Sequence, residues 1–376
     1  MTILTVYFCG TSSTRFDNKN EAYWNGELVS TLAANSLGRE FAEWIVVDGP
    51  GSSNLQADEQ FFKSEHYGIS GTLFGRGWDE NVKHAVHIAK GQYSWERIEL
   101  TEDEYRRLKD AGIPIEDVQV EGSWLWRKYN YGNRTVTQQK LQEQIIKTFR
   151  KDGLIPTTVN LVGWSRGAVS CHMMANQMLN DKELKNVPVN IFAVDPVPGQ
   201  MKYKDERALL GANVREYVGF FARDERSKGF SCLIPRTHGS TRTHIYPMAG
   251  RHATLVGNAA ANGNKGPKIL AAPGLIVRHF AETCLRRWGV KLDKTLDLSK
   301  AELENHHNSL KNDDAKYLQM RKESYTYFTE LDQGERYVTH GRDGTAFSKV
   351  QGGHMRPATG LSASLTLEAS SYQEIR

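Results

Sequence analysis

The pentapeptide Gly163-Trp164-Ser165-Arg166-Gly167 constrains this chain more than any other stretch. The apolar run Thr158–Val162 leads into it, and a helix-like segment, Ala168–Leu179, leads out. Strand, Gly-x-Ser-x-Gly and helix in that order is the setting of a nucleophile elbow, a tight strained turn that presents a serine hydroxyl at the end of a sheet. A side chain at either flanking glycine would meet the neighbouring strand or helix. The bare pattern is common by chance, so the strand-to-helix context carries its weight.

The rest of the chain supplies a matching framework. Strand-like and helix-like patterns alternate as far as about residue 290, which predicts an α/β fold with a mostly parallel sheet flanked by helices. Strands are expected at Ile3–Phe8, Phe41–Val47, Val189–Val194, Val214–Ala222 and His244–Pro247. Helices are expected at Asp79–Lys90, around Val136–Phe149 and at Leu275–Trp288. This defines a catalytic domain over 1–290 and a C-terminal extension over 291–376. The extension opens with one charged helix, Leu298–Met320, and turns Gly-, Ser- and Thr-rich after Gly334. Residues 91–132 read as an insertion, with a charged helical stretch at Thr101–Lys109 and the aromatics Trp124, Trp126, Tyr129 and Tyr131. Such an insertion is a candidate lid over an apolar acyl site, or an excursion whose aromatics pack on the domain.

Composition removes several classes of function. No apolar run nears the roughly 18 residues that would span a bilayer. The N-terminus, Met1-Thr-Ile-Leu-Thr-Val-Tyr-Phe-Cys-Gly10, lacks a basic n-region and reads as a first strand, so general secretory export is not expected. Cys9, Cys171, Cys232 and Cys284 are scattered without metal-finger spacing and read as buried reduced thiols. The net charge of +4 argues for no nucleic-acid partner. Neither a metal nor a cofactor is called for. Gly75-Arg-Gly-Trp-Asp-Glu-Asn81 lacks the Gly-Lys-Ser/Thr of a phosphate loop and reads as the start of a helix.

A serine hydroxyl needs a histidine to take its proton and a carboxylate to hold the imidazole tautomer. In α/β-hydrolases the order is Ser, then acid, then His, each beyond a strand end. Ser165, Asp195 and His252 follow that order. Asp224 competes for the acid role from the following strand, but within Arg223-Asp-Glu-Arg226 it reads equally as a surface ion pair. His252, in a Gly-flanked loop, suits a mobile base. His244 starts a strand, His238 lies in a polar loop, His172 follows the elbow on its helix and is expected either exposed or packed there, and His306 and His307 are expected in solvent. The oxyanion needs at least two aimed donors. The backbone N–H of Arg166, at a helix N-terminus, is one; Gly10 and Thr11, after the first strand, offer the other.

Five blocks in order resemble the α/β-hydrolase domains that include the phospholipase effectors of bacterial type VI secretion. They are Val6-Tyr-Phe-Cys-Gly-Thr11, Gly75 to Ala85, Gly163-Trp-Ser-Arg-Gly-Ala168, Ala222 to Phe230, and Tyr246-Pro-Met-Ala-Gly-Arg-His252. The family's opening Asp is Cys9 here, and the Asp and Gly run after its histidine is replaced by Ala253-Thr-Leu-Val-Gly257. The resemblance implies Ser165 as nucleophile, His252 as base, Asp195 as acid and a structural Asp-Glu-Arg block. It implies a lipid or other ester substrate, peripheral membrane contact, and a protein made in the bacterial cytoplasm and delivered into a target cell, with secretion machinery or a host protein as partner. The rival reading is a catalytically silent hydrolase fold that serves as a partner-binding effector module. A third is acyl transfer or peptide cleavage by the same residues.

Overall fold

The computed structural model describes residues 2–50, 78–91, 119–121, 128–130, 146, 150, 154–199, 204–325 and 329–350. The elements run β1 (Ile3–Phe8), α1 (Leu28–Ala34), β2 (Trp44–Val47), α2 (Trp78–Ala89), β3 (Gln119–Glu121), β4 (Lys128–Asn130), β5 (Thr158–Trp164) and α3 (Arg166–Asn180). They continue with β6 (Val189–Val194), α4 (Asp205–Ala208), β7 (Val214–Ala222), β8 (Leu233–Ile234), β9 (Arg242–Met248) and α5 (Ala272–Arg287). Last come α6 (Lys300–Asn312), α7 (Asp314–Met320), β10 (Tyr337–His340) and β11 (Asp343–Ala346).

Six strands form one sheet in the order β2-β1-β5-β6-β7-β9, and every neighbouring pair is parallel. Both faces are covered, which is why the strands read as continuous apolar runs. The period of two then divides each strand between two cores. Leu4, Val6 and Phe8 of β1 enter a core shared with Val82 of α2 and Val169 and Met173 of α3. Tyr7 and Cys9 enter the other, beside Leu32 of α1 and Phe280 of α5. This is an α/β fold of the α/β-hydrolase-like type.

Strand order locates the crevice. From β1 the chain lays β2 on one side, then returns to lay β5 on the other. The direction of winding reverses between β1 and β5, and ligands of such sheets bind beyond the C-terminal strand ends at that reversal. Gly10 and Thr11 leave β1 there, and Ser165 leaves β5.

Several elements differ from expectation. β2 starts at Trp44 because Phe41 sits in the left-handed region (φ 69°). The expected helix Leu298–Met320 is two helices: Ser299 caps α6 through a reciprocal bond with Glu302, and Asp313 breaks the ladder before α7. His307 is buried, not solvated, because it shares the inward face of α6 with Leu303 and Leu310. Beyond Gly334 the chain forms an antiparallel hairpin, β10–β11, whose two-residue turn holds Gly341 at φ 62°. Strand β10 pairs in parallel with β8, giving a second sheet of three strands. Leu303, Leu310, Tyr317 and Met320 belong to the same core as Phe220 and Phe280. All four cysteines are buried and free.

Of the 91–132 insertion, only Gly91 and the antiparallel pair β3–β4 are described. The helical stretch 101–109 and the side chains of the aromatic cluster lie outside the described residues. So do Gly75-Arg-Gly77, most of the expected helix 136–149, and the chain beyond 350.

Candidate active site

The elbow is built by close backbone approach. A Cβ on Gly163 would stand 2.5 Å from the carbonyl carbon of Gly167, and one on Gly167 would meet the carbonyl oxygens of Phe8 and Cys9. The turn is therefore pressed against the end of β1, and neither position has room for a methyl group. Gly167→Ala is expected to cost about 2–3 kcal/mol, since rigid backbone must give way. Urea unfolding measures it, and an unchanged midpoint would contradict the close packing.

Ser165 occupies φ 57°, ψ −129°, a conformation costly for a residue with a side chain. It is held there by backbone bonds: its N–H donates to Val194 O (3.1 Å), and its carbonyl accepts from Val197 N (3.1 Å). Asp195, one residue beyond β6, is likewise strained at φ 42°. Among the described residues only six non-glycines have positive φ, and these are two of them. Strain of this kind persists where surrounding structure over-determines the backbone, and it concentrates at functional sites.

His252 opens a 3-10 turn, His252–Val256, just past β9. It is buried, where a mobile base in a Gly-flanked loop was expected. Its Nδ1 lies 2.7 Å from Asp195 Oδ2, while Nε2 is buried without a hydrogen-bond partner. The imidazole sits between the rings of Trp164 (centroids 5.1 Å apart) and Phe230 (5.0 Å). Trp164 precedes Ser165, so the wall of the histidine slot and the elbow are one piece of chain. No hydrogen bond joins Ser165 to His252 Nε2, and such contacts commonly tighten only around a substrate.

The carboxylate of Asp195 is fully engaged. Oδ1 accepts from Ala222 N (3.0 Å) and Arg336 (2.7 Å); Oδ2 accepts from His252 and from the second Arg336 nitrogen (2.9 Å). Burial pushes this carboxyl up, but the Arg336 charge and the His252 and Arg336 hydrogen bonds outweigh it and hold it at about 2. The folded value is below the ordinary 3.8, so the stabilisation is full above about pH 4 and is lost as pH falls through about 2. About 2 kcal/mol is at stake. Unfolding free energies at about pH 5 and pH 2.5 should show this loss in the wild type and not in Asp195→Asn. Equal slopes would refute it.

Asp224, the rival acid, is also buried, so it is an ion-pair residue but not a surface one. It binds Arg223, Arg321 Nε (2.7 Å) and Gly250 N (2.9 Å), with no bond to His252. Its neighbour Glu225 accepts from Ser227 N (2.7 Å) and His252 N (3.3 Å). The Asp-Glu pair thus anchors the backbone that carries His252. The other histidines have separate duties: His172 meets Arg207 O and Tyr217 Oη, His244 meets Glu216, and His238 meets Ser240.

Gly10 and Thr11, the expected oxyanion donors, lie just beyond the end of β1. Gly10 packs under the Trp164 ring, and Arg166 Nη1 donates to Thr11 Oγ1 (3.2 Å). Arg166 begins α3, so its backbone N–H points from a helix N-terminus. Arg336 is the site residue that sequence reading missed.

No protein-family model matches the chain, and no curated protein does. By structure the chain is similar to an uncharacterized protein from Pseudomonas aeruginosa, at TM-score 0.45 and 13% identity over 80% of this chain and 48% of that one. It is also similar to the Tle1 effector, solved bound to the VgrG spike from the Type 6 secretion system, at TM-score 0.35 and 12% identity over 68% of this chain and 51% of that one. The matches span about half the length of each of those chains. At these values neither likeness assigns an activity. Among the described residues no helix is long and apolar enough to cross a membrane.

Proposed function

We propose that this protein is a serine hydrolase acting on carboxylic esters, with Ser165 as nucleophile, His252 as base and Asp195 as acid. The observation that carries the reading is the imidazole. One nitrogen is held 2.7 Å from a buried carboxylate, the other is left without a partner, and the ring leans on the residue before a strained serine.

The chemistry follows from those positions. Ser165 Oγ attacks the ester carbonyl as its proton passes to His252 Nε2. Backbone N–H groups of Arg166 and of Gly10 or Thr11 stabilise the oxyanion. The imidazolium, steadied by Asp195, gives its proton to the departing alkoxide and leaves an acyl-Ser165. Water, deprotonated by the same nitrogen, releases the acid and restores the serine. Lipid or phospholipid ester is the substrate class we favour, on the sequence resemblance. Contact with a lipid surface, and delivery by secretion machinery, belong to the same proposal.

A fluorophosphonate probe tests it directly. The expected result is one covalent adduct that peptide mass analysis maps to Ser165. An adduct on another residue, or none under conditions that label a control esterase, would overturn the assignment.

A further inference from the structure

We propose that Arg336 is a positioning residue of this site: it fixes the Asp195 carboxylate and, through it, the tautomer and tilt of His252. The inference rests on the hydrolase reading above and extends the site to residues 329–350.

The geometry is that of a fork set into a socket. Arg336 is buried, and its two terminal nitrogens grip the two oxygens of Asp195 at 2.7 and 2.9 Å. The same nitrogens also donate to Ala222 O (2.7 Å) and Phe230 O (2.7 Å), so the plane of the guanidinium is fixed on both sides. Planar two-point recognition of a carboxylate is what arginine does and lysine cannot. The backbone of Arg336 is fixed as well. Its carbonyl accepts from Phe347 N (2.9 Å), and the β10 strand that follows it pairs with β8. Asp332 N donates to Arg226 O (2.7 Å), and Arg226 Nε donates to Gly334 O (2.8 Å), which ties the approach to the turn after β7.

Stability alone does not explain this arrangement, because a buried ion pair is often no better than well-packed apolar groups. Position does explain it. Asp195 sits on strained backbone, and its side chain has to hold one orientation for Nδ1 of His252 to be the protonated nitrogen. Asp195, from the end of β6, and Glu225, from the turn after β7, are the carboxylates bonded to His252, and Arg336 is the cation bonded to Asp195 among the described residues.

The test uses the full chain with Arg336→Met, Arg336→Lys and Ser165→Ala, read as kcat and KM on an activated ester, with thermal unfolding alongside. Arg336→Met is expected to lose about 100-fold in kcat from the misplaced pair, with KM within about threefold of wild type. Arg336→Lys keeps the charge and loses the fork, so kcat should fall while KM stays. A folded Arg336→Met with wild-type kcat, or with its loss in KM alone, overturns the proposal. If the methionine variant does not fold, the lysine variant decides: full kcat there overturns it. Hydrolysis equal in wild type and Ser165→Ala would instead strike the hydrolase reading, and the positioning role with it.

Discussion

Replacement of Ser165 by alanine is expected to lower kcat/KM on an activated ester by about a million-fold, the scale seen when a hydrolase nucleophile is removed. The alanine should fold. The serine hydroxyl makes none of the bonds that hold the elbow, which run through the backbone to Val194 and Val197. Alanine must still accept φ near 57°, so a small loss of stability should accompany the loss of rate. Binding and the oxyanion donors would survive and leave a low residual rate, and His252→Ala should fall to the same floor, because the two residues act as one unit. Titrated burst kinetics on purified protein measure this. Ser165→Ala turnover within about tenfold of wild type would rule out the mechanism.

The second large effect falls on Asp195, the proposed acid. Asp195→Asn should lower kcat by about 10⁴-fold. The amide would donate to Nδ1, shift the ring proton to Nε2, and leave no lone pair to receive the serine proton. The same change sets an amide N–H against the Arg336 fork, so folding should weaken as well. Asp224→Asn predicts the opposite balance. It removes a buried charge facing Arg223 and Arg321, so stability should drop by about 3 kcal/mol. It touches no reacting atom, so kcat should stay within about tenfold. Abolished turnover in Asp224→Asn with activity retained in Asp195→Asn would reverse the assignment.

The sheet was legible because burial on both faces writes its strands as short β-branched runs with turn residues at their ends. The contact between Asp195 and His252 could be anticipated for a related reason, since each follows such a run. What was illegible depended on distance in the chain. Arg336 lies in a polar stretch with no local pattern, and its partner is 141 residues away. The hairpin after Gly334 was missed because its strands are four residues each, too short for alternation to show. Its turn glycine, Gly341, was the available signal. The break at Asp313 has neither Gly nor Pro to mark it. His307 was misjudged because its helix is charged overall, although Leu303 and Leu310 at helical spacing define an inward face that includes it.

The reach of Arg336 back to Asp195 also sets an order of events during synthesis. A chain emerging from the ribosome exposes β1, the elbow, Asp195 and His252 well before Arg336 appears. Synthesis runs from the N-terminal side, so Ser165 and His252 leave the ribosome while Asp195 still lacks its cation. A contact 141 residues long raises the contact order of the chain, which slows folding as a whole. A nascent chain built this way passes through a stage in which Asp195 has been made and Arg336 has not.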